Sequence, residues 1–230
     1  DGPRPTLAGW LPPYIQTWDA TCDEVPVSAE FASLQGSATA LRDWLAALRS
    51  HGVVRLRGGP IQPCAVFDMV ALFGHVRETN YGRLFDVKSV AEPANLAFTH
   101  LGLAPHTDNP YRDQQPTLQL LYCLESSAAG GQSVVVDGFA AATALREREP
   151  EAFNLLTSHC ARFEYAGAPG VRLAARQPMI ELKADGELSA VRMNNRSIAP
   201  LTDVPFERME AYYAAYAEFE SLLAAPEFAR

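Results

Sequence analysis

Between Leu103 and Gly138 the chain reads LAPHTDNPYRDQQPTLQLLYCLESSAAGGQSVVVDG, and its character changes within those residues. A polar, proline-punctuated segment containing His106 and Asp108 gives way to Leu118–Leu124, an apolar run expected to be a buried strand. Gly130-Gly131 reads as a turn, and Ser133–Val136 as a second strand. Asp137 can then cap a helix running to about Arg146. His106 and Asp108 stand two apart, so in an extended segment both side chains point to the same side.

Downstream, Pro150 opens a short helix to about Thr157, and Arg162–Tyr165 reads as a strand. Asp185-Gly186 between Met179–Lys183 and Leu188–Met193 is a hairpin signal. Pro205 opens a long helix whose expected apolar stripe is Phe206, Met209, Tyr213, Tyr216 and Phe219. Upstream, residues 1–36 are expected to be an irregular lead-in, carrying Trp10 and Trp18 along a core. Ser37 then caps a helix to Ser50 with Leu41, Trp44, Leu45 and Leu48 on one face. Gly52 ends it, Val53–Leu56 is a strand, and Pro63–Phe73 a further helix. The expected class is α+β with a mainly β core, in one domain over residues 37–230.

Composition bounds the function. Of 230 residues, 48% are apolar and 20% charged, an ordinary globular balance. A net charge of −8 argues against a nucleic-acid partner. No apolar run is long enough for a membrane span. Cys22, Cys64, Cys123 and Cys160 lack metal or disulfide spacing, and scattered free thiols point to the cytoplasm.

An imidazole and a carboxylate on one side can share a metal ion. Two histidines and one carboxylate are the facial set of non-haem Fe(II) oxygenases. The bland alternative is a loop histidine hydrogen-bonded to a nearby aspartate.

Six segments carry a wider likeness: TNYGRLFDV (Thr79–Val87), NLAFT (Asn95–Thr99), HTDNPYR (His106–Arg112), LQLLYCLE (Leu118–Glu125), GGQSVVVDGF (Gly130–Phe139) and MNNRS (Met193–Ser197). In this order they resemble the gamma-butyrobetaine dioxygenase branch of the Fe(II)/2-oxoglutarate dioxygenases, related to taurine dioxygenase. The resemblance implies a double-stranded β-helix, or jelly roll, flanked by helices. It implies Fe(II), 2-oxoglutarate and O2 as cofactor and co-substrates. His106 and Asp108 match two iron ligands, while Ser133 and Leu121 match positions that meet 2-oxoglutarate. Tyr81, Phe85 and Phe98 match an aromatic cage for a quaternary ammonium, and Asn95 a neighbouring substrate position. Asn109, Tyr111, Asn195 and Arg196 suit the substrate's anionic end, with Arg83 and Arg112 as secondary candidates.

The family's third ligand is a histidine beyond the last helix. The only histidine after Asp108 is His159, outside that motif, so the chain is expected to stop short of the third ligand and of the arginine that pairs with 2-oxoglutarate. The implied activity is hydroxylation of a small trimethylammonium compound, expected to be 2-(trimethylammonio)ethylphosphonate. The alternatives are gamma-butyrobetaine, or a non-catalytic quaternary-ammonium binding module. A homodimer is the expected assembly, with neither nucleic acid nor membrane as partner.

Overall fold

A computed structural model describes residues 10–87, 103–125, 133–168 and 170–230. β1 (Val27–Glu30) pairs in parallel with β2 (Val54–Arg57), Val27 opposite Val54. The crossover between them consists of α1 (Phe31–Gly36) and α2 (Ala38–His51). The ends of α2 are set locally. The Ser37 hydroxyl accepts from the Ala40 amide at 3.2 Å, and Gly52 takes the left-handed φ of 74° while its N–H bonds Leu48. The expected irregular lead-in therefore ends earlier than residue 36, because residues 27–30 find a ladder partner in β2. The helix expected over Pro63–Phe73 shortens to α3 (Val66–Val70), with turns on either side.

The second half holds the main core. α4 (Gly138–Arg148) and α5 (Pro150–Ser158) precede β3 (Cys160–Ala168), which pairs antiparallel with β4 (Val171–Pro178). β5 (Ile180–Leu182) and β6 (Leu188–Val191) form the expected hairpin, where Gly186 takes the turn's positive φ of 86°. Turns lead to α6 (Met209–Ala224). Leu145, Leu156, Phe163, Met179, Ile180, Leu188, Tyr212 and Phe219 are fully buried where α4, α5 and α6 meet the two hairpins. Trp10 and Trp18 are buried as expected, and the Trp10 carbonyl accepts from the Leu188 amide.

Three expectations are corrected. α6 begins at Met209, and its buried stripe is Tyr212, Ala215, Phe219, Leu222 and Leu223, while Phe206 and Tyr213 are exposed. Adjacent tyrosines made either register plausible, and the small Ala215 concealed the true one. Leu118–Leu124 forms no strand: Leu118, Leu120, Leu121 and Leu124 are all exposed. Apolar character does not make a strand where no neighbouring strand takes up the backbone N–H and C=O groups. Ser133–Val136 forms only a bridge, through Val136 and Ala229, beside paired backbone bonds between Val135 and Arg230. Accordingly, the described residues form three two-stranded sheets within an α+β arrangement, and no closed double-stranded β-helix. No helix among them is long and apolar enough to cross a membrane.

Candidate functional site

His106 and Asp108 face each other, with Nε2 of the imidazole 3.4 Å from Oδ1 of the carboxylate. Nδ1 of His106 lies 2.8 Å from the Ala104 carbonyl, which can only accept, so Nδ1 carries the proton. In the neutral ring this leaves the Nε2 lone pair facing the aspartate. The neighbouring carboxylate raises the His106 pKa, with burial opposing. The same contact lowers that of Asp108, again against burial. The other oxygen, Oδ2, accepts from Gln119 at 2.6 Å, and the Asp108 carbonyl accepts from Gln115 at 2.6 Å.

Thr107, between the two, anchors them. Its N–H donates to the Met193 carbonyl at 2.7 Å, and its hydroxyl accepts from the Met193 N–H at 3.2 Å. The Asn194 amide, 4% exposed, donates to the Thr107 carbonyl at 3.1 Å and accepts from the Arg196 N–H at 3.1 Å. The segment after β6 is thus stitched to the His-Thr-Asp segment, and the Arg196 charge bears on both His106 and Asp108.

Four rings form a cluster that includes Tyr111, three residues after Asp108. Tyr81 lies 5.7 Å from Phe85 and 5.8 Å from Tyr165, and Tyr165 lies 5.1 Å from Tyr111. A tight turn presents Tyr81. Thr79 and Gly82 exchange backbone bonds, Gly82 sits at φ 80°, and the Tyr81 N–H donates to the Thr79 hydroxyl. Arg112 reaches that turn by donating to Asn80 at 2.7 Å. Asn109 takes the left-handed φ of 54°, tolerable for asparagine, and accepts from the Tyr111 hydroxyl at 2.8 Å. Burial, aided by Tyr81, pushes the Tyr111 pKa well above the ordinary tyrosine value, so that hydroxyl keeps its proton.

The remaining expected residues are placed differently. The Asn195 side chain donates to Glu220 on α6 at 3.3 Å, so the buried Asn194 is the one that knits the site. Ser133 and Leu121 are exposed, and Ser133 has no hydrogen bond to the pair. Arg83 lies over the Phe67 ring. Asn95 and Phe98 fall outside the described residues. The sequence reading missed Gln119 and Tyr165. Gln119 was discoverable as the polar break in an apolar run, whereas nothing local marks Tyr165.

The donor set suits a first-row divalent ion. A nitrogen and an oxygen about 2.0–2.2 Å from one ion, at right angles to each other, stand about 3 Å apart, so the 3.4 Å gap fits one ion. The fixed Nδ1 proton is the usual orienting feature of a metal-binding histidine. Among the described residues no third His, Cys, Asp or Glu completes a metal-holding group. His159 packs its ring against Tyr212 and faces Ser158 instead.

Comparison with known proteins agrees on one lineage. The family described as taurine catabolism dioxygenase TauD, TfdA matches residues 15–230. Gamma-butyrobetaine dioxygenase of Pseudomonas sp. (strain AK-1) is 38% identical over 205 residues, covering 89% of this chain and 52% of that protein. The Homo sapiens gamma-butyrobetaine dioxygenase is 33% identical over 186 residues, covering 80% and 48%. A trimethyllysine dioxygenase of Meyerozyma guilliermondii is 27% identical over 216 residues, covering 92% and 54%. The chain spans about half the length of these curated relatives. With the family matched across nearly all of its length, the chain belongs to the taurine catabolism dioxygenase TauD/TfdA family.

Proposed function

We propose that the protein is an Fe(II)/2-oxoglutarate-dependent hydroxylase of a small trimethylammonium carboxylate, with gamma-butyrobetaine as substrate. The observation that carries this is the His106–Asp108 pair, its tautomer fixed, lying within the field of Arg196. The similarity to gamma-butyrobetaine dioxygenases supports the substrate. The polar set expected to suit a phosphonate is thinner than the sequence implied. Asn195 is engaged by Glu220, and the Tyr111 hydroxyl is buried against Asn109. What remains is the Arg196 fork, which matches the two oxygens of a carboxylate.

In this reading His106 Nε2 and Asp108 Oδ1 hold the iron, and Gln119 keeps the carboxylate oriented by occupying its other oxygen. Bound there, iron with 2-oxoglutarate and O2 supplies the oxidation of a substrate C–H bond. Ser133 and Leu121, both exposed, are the residues proposed to meet 2-oxoglutarate. Tyr81 and Phe85, with Phe98, are assigned to the trimethylammonium end, Arg196 to the anion, and Asn95 to a further substrate contact. Fixing both ends of the substrate presents its middle carbons to the metal.

The test is succinate formation stimulated by gamma-butyrobetaine or by 2-(trimethylammonio)ethylphosphonate at equal concentration. Greater stimulation by gamma-butyrobetaine is expected. Preference for the phosphonate restores that substrate, and stimulation by neither overturns the reading. Arg196→Ala removes a charge-assisted contact of about 1.5–3 kcal/mol, so kcat/KM should fall roughly ten- to a hundredfold.

A further inference from the structure

Tyr165, on β3, lies far in sequence from the other rings of the cluster, yet its ring packs against both Tyr81 and Tyr111. Its plane is inclined 64° to Tyr81, and Tyr81 is inclined 43° to Phe85. Tyr165 thus meets Tyr81 edge to face and lies 30° from the plane of Tyr111, so the rings form one contiguous aromatic cluster. The ring is also held from its own strand. A Cβ on Gly167 would lie 2.9 Å from Tyr165 Cε2 and 3.0 Å from its Cζ, so only glycine leaves the ring where it is. A shift in the β3–β4 register between Tyr165 and Ala168 accompanies this close approach. Tyr165 is half-buried, whereas Tyr111 is 5% exposed with its hydroxyl committed to Asn109. Tyr165 is therefore less enclosed than Tyr111, although it also packs against the main core.

We propose that Tyr165 is a specificity-determining residue that adds an aromatic wall for a quaternary ammonium group, beside Tyr81 and Phe85. This rests on the trimethylammonium reading of the site and extends it to a residue on β3. A quaternary ammonium offers no hydrogen-bond donor, so selection against a neutral group of the same shape depends on the faces of surrounding rings.

The test separates charge from shape. The chain is titrated, with binding followed by NMR, using choline and its neutral isostere in which carbon replaces nitrogen. Wild type should prefer choline. Tyr165→Leu should cut that preference roughly 3- to 30-fold while leaving the isostere's affinity nearly unchanged. Tyr165→Phe, which keeps the ring, should retain the preference. Gly167→Ala should lower it, by displacing an intact ring. If Tyr165→Leu retains the wild-type preference, or loses both ligands in parallel while Tyr165→Phe and Gly167→Ala leave the ratio unchanged, the residue is mere packing and the proposal falls alone. A wild-type chain with no preference for choline overturns the trimethylammonium reading, and the proposal with it.

Discussion

Asp137 gathers three backbone N–H groups on one carboxylate. Oδ1 accepts from Phe139 and Ala140 at 2.9 Å, capping α4, and Oδ2 accepts from Trp18 at 2.8 Å, 119 residues away. Replacing it by alanine removes the cap and leaves a buried amide unpaired, so Asp137→Ala should cost about 2–4 kcal/mol in denaturant unfolding. Burial is the largest influence on this carboxyl and raises its pKa, against the three hydrogen bonds. The folded state therefore holds the proton more tightly than the unfolded chain, and acidification through the folded pKa adds stability. The cost of Asp137→Ala should accordingly be at least as large near pH 4 as at neutral pH. A cost that shrinks on acidification would mean that the hydrogen bonds outweigh burial. The capping role of Asp137 was legible in the sequence, because a cap is a relation between neighbours. The Trp18 partner was not, since nothing local encodes a contact over that separation.

At the scale of elements the same division holds. The ends of α2, the Pro150 start of α5 and the Asp185-Gly186 hairpin were readable, since each depends on a cap, a fixed φ or a positive φ within a few residues. The face of α6 was read one position off, because Tyr212 and Tyr213 offer equal apolar area and the helix begins later than its proline suggests. Phe219 belongs to both stripes, but Tyr212 and Tyr213 distinguish them. Tyr212 is fully buried and Tyr213 is 49% exposed. Tyr212→Ala should cost about 3–5 kcal/mol, as for other large-to-small aromatic substitutions in a core. Tyr213→Ala should stay within roughly 0.5 kcal/mol, as surface changes do. Chemical denaturation of both variants checks the register, and comparable losses would show that α6 buries a broader face. Leu118–Leu124 was misread for a different reason. An apolar run reports a preference for burial, whereas a strand also needs a partner ladder, and among the described residues that run has none.

Across the whole molecule, the candidate site is assembled from segments that no local pattern joins. The tight turn at Tyr81, the His-Thr-Asp segment, Tyr165 on β3 and Arg196 after β6 meet only because the chain folds back on itself. Motif order suggested that the Tyr81, His-Thr-Asp and Arg196 segments cooperate, but it gave no sign of Tyr165, and the join itself, Thr107 with Met193 and Asn194, appears only in three dimensions. The join predicts a separation between stability and metal binding. Thr107→Val keeps the volume but removes the hydroxyl that the Met193 N–H uses, stranding a part-buried donor at a cost of about 1–3 kcal/mol. Since Thr107 lies between the two proposed ligands, the same change should also weaken Co(II) or Ni(II) binding. His106→Ala should abolish metal binding with little loss of stability, because a partly exposed surface contact is worth little. Asp137→Ala should do the reverse, lowering stability while the folded fraction binds metal as wild type does. Thermal unfolding and metal titration on the three variants give six measurements. The arrangement stands if only Thr107→Val moves both readouts, and it fails if Thr107→Val unfolds the chain more readily without touching metal affinity.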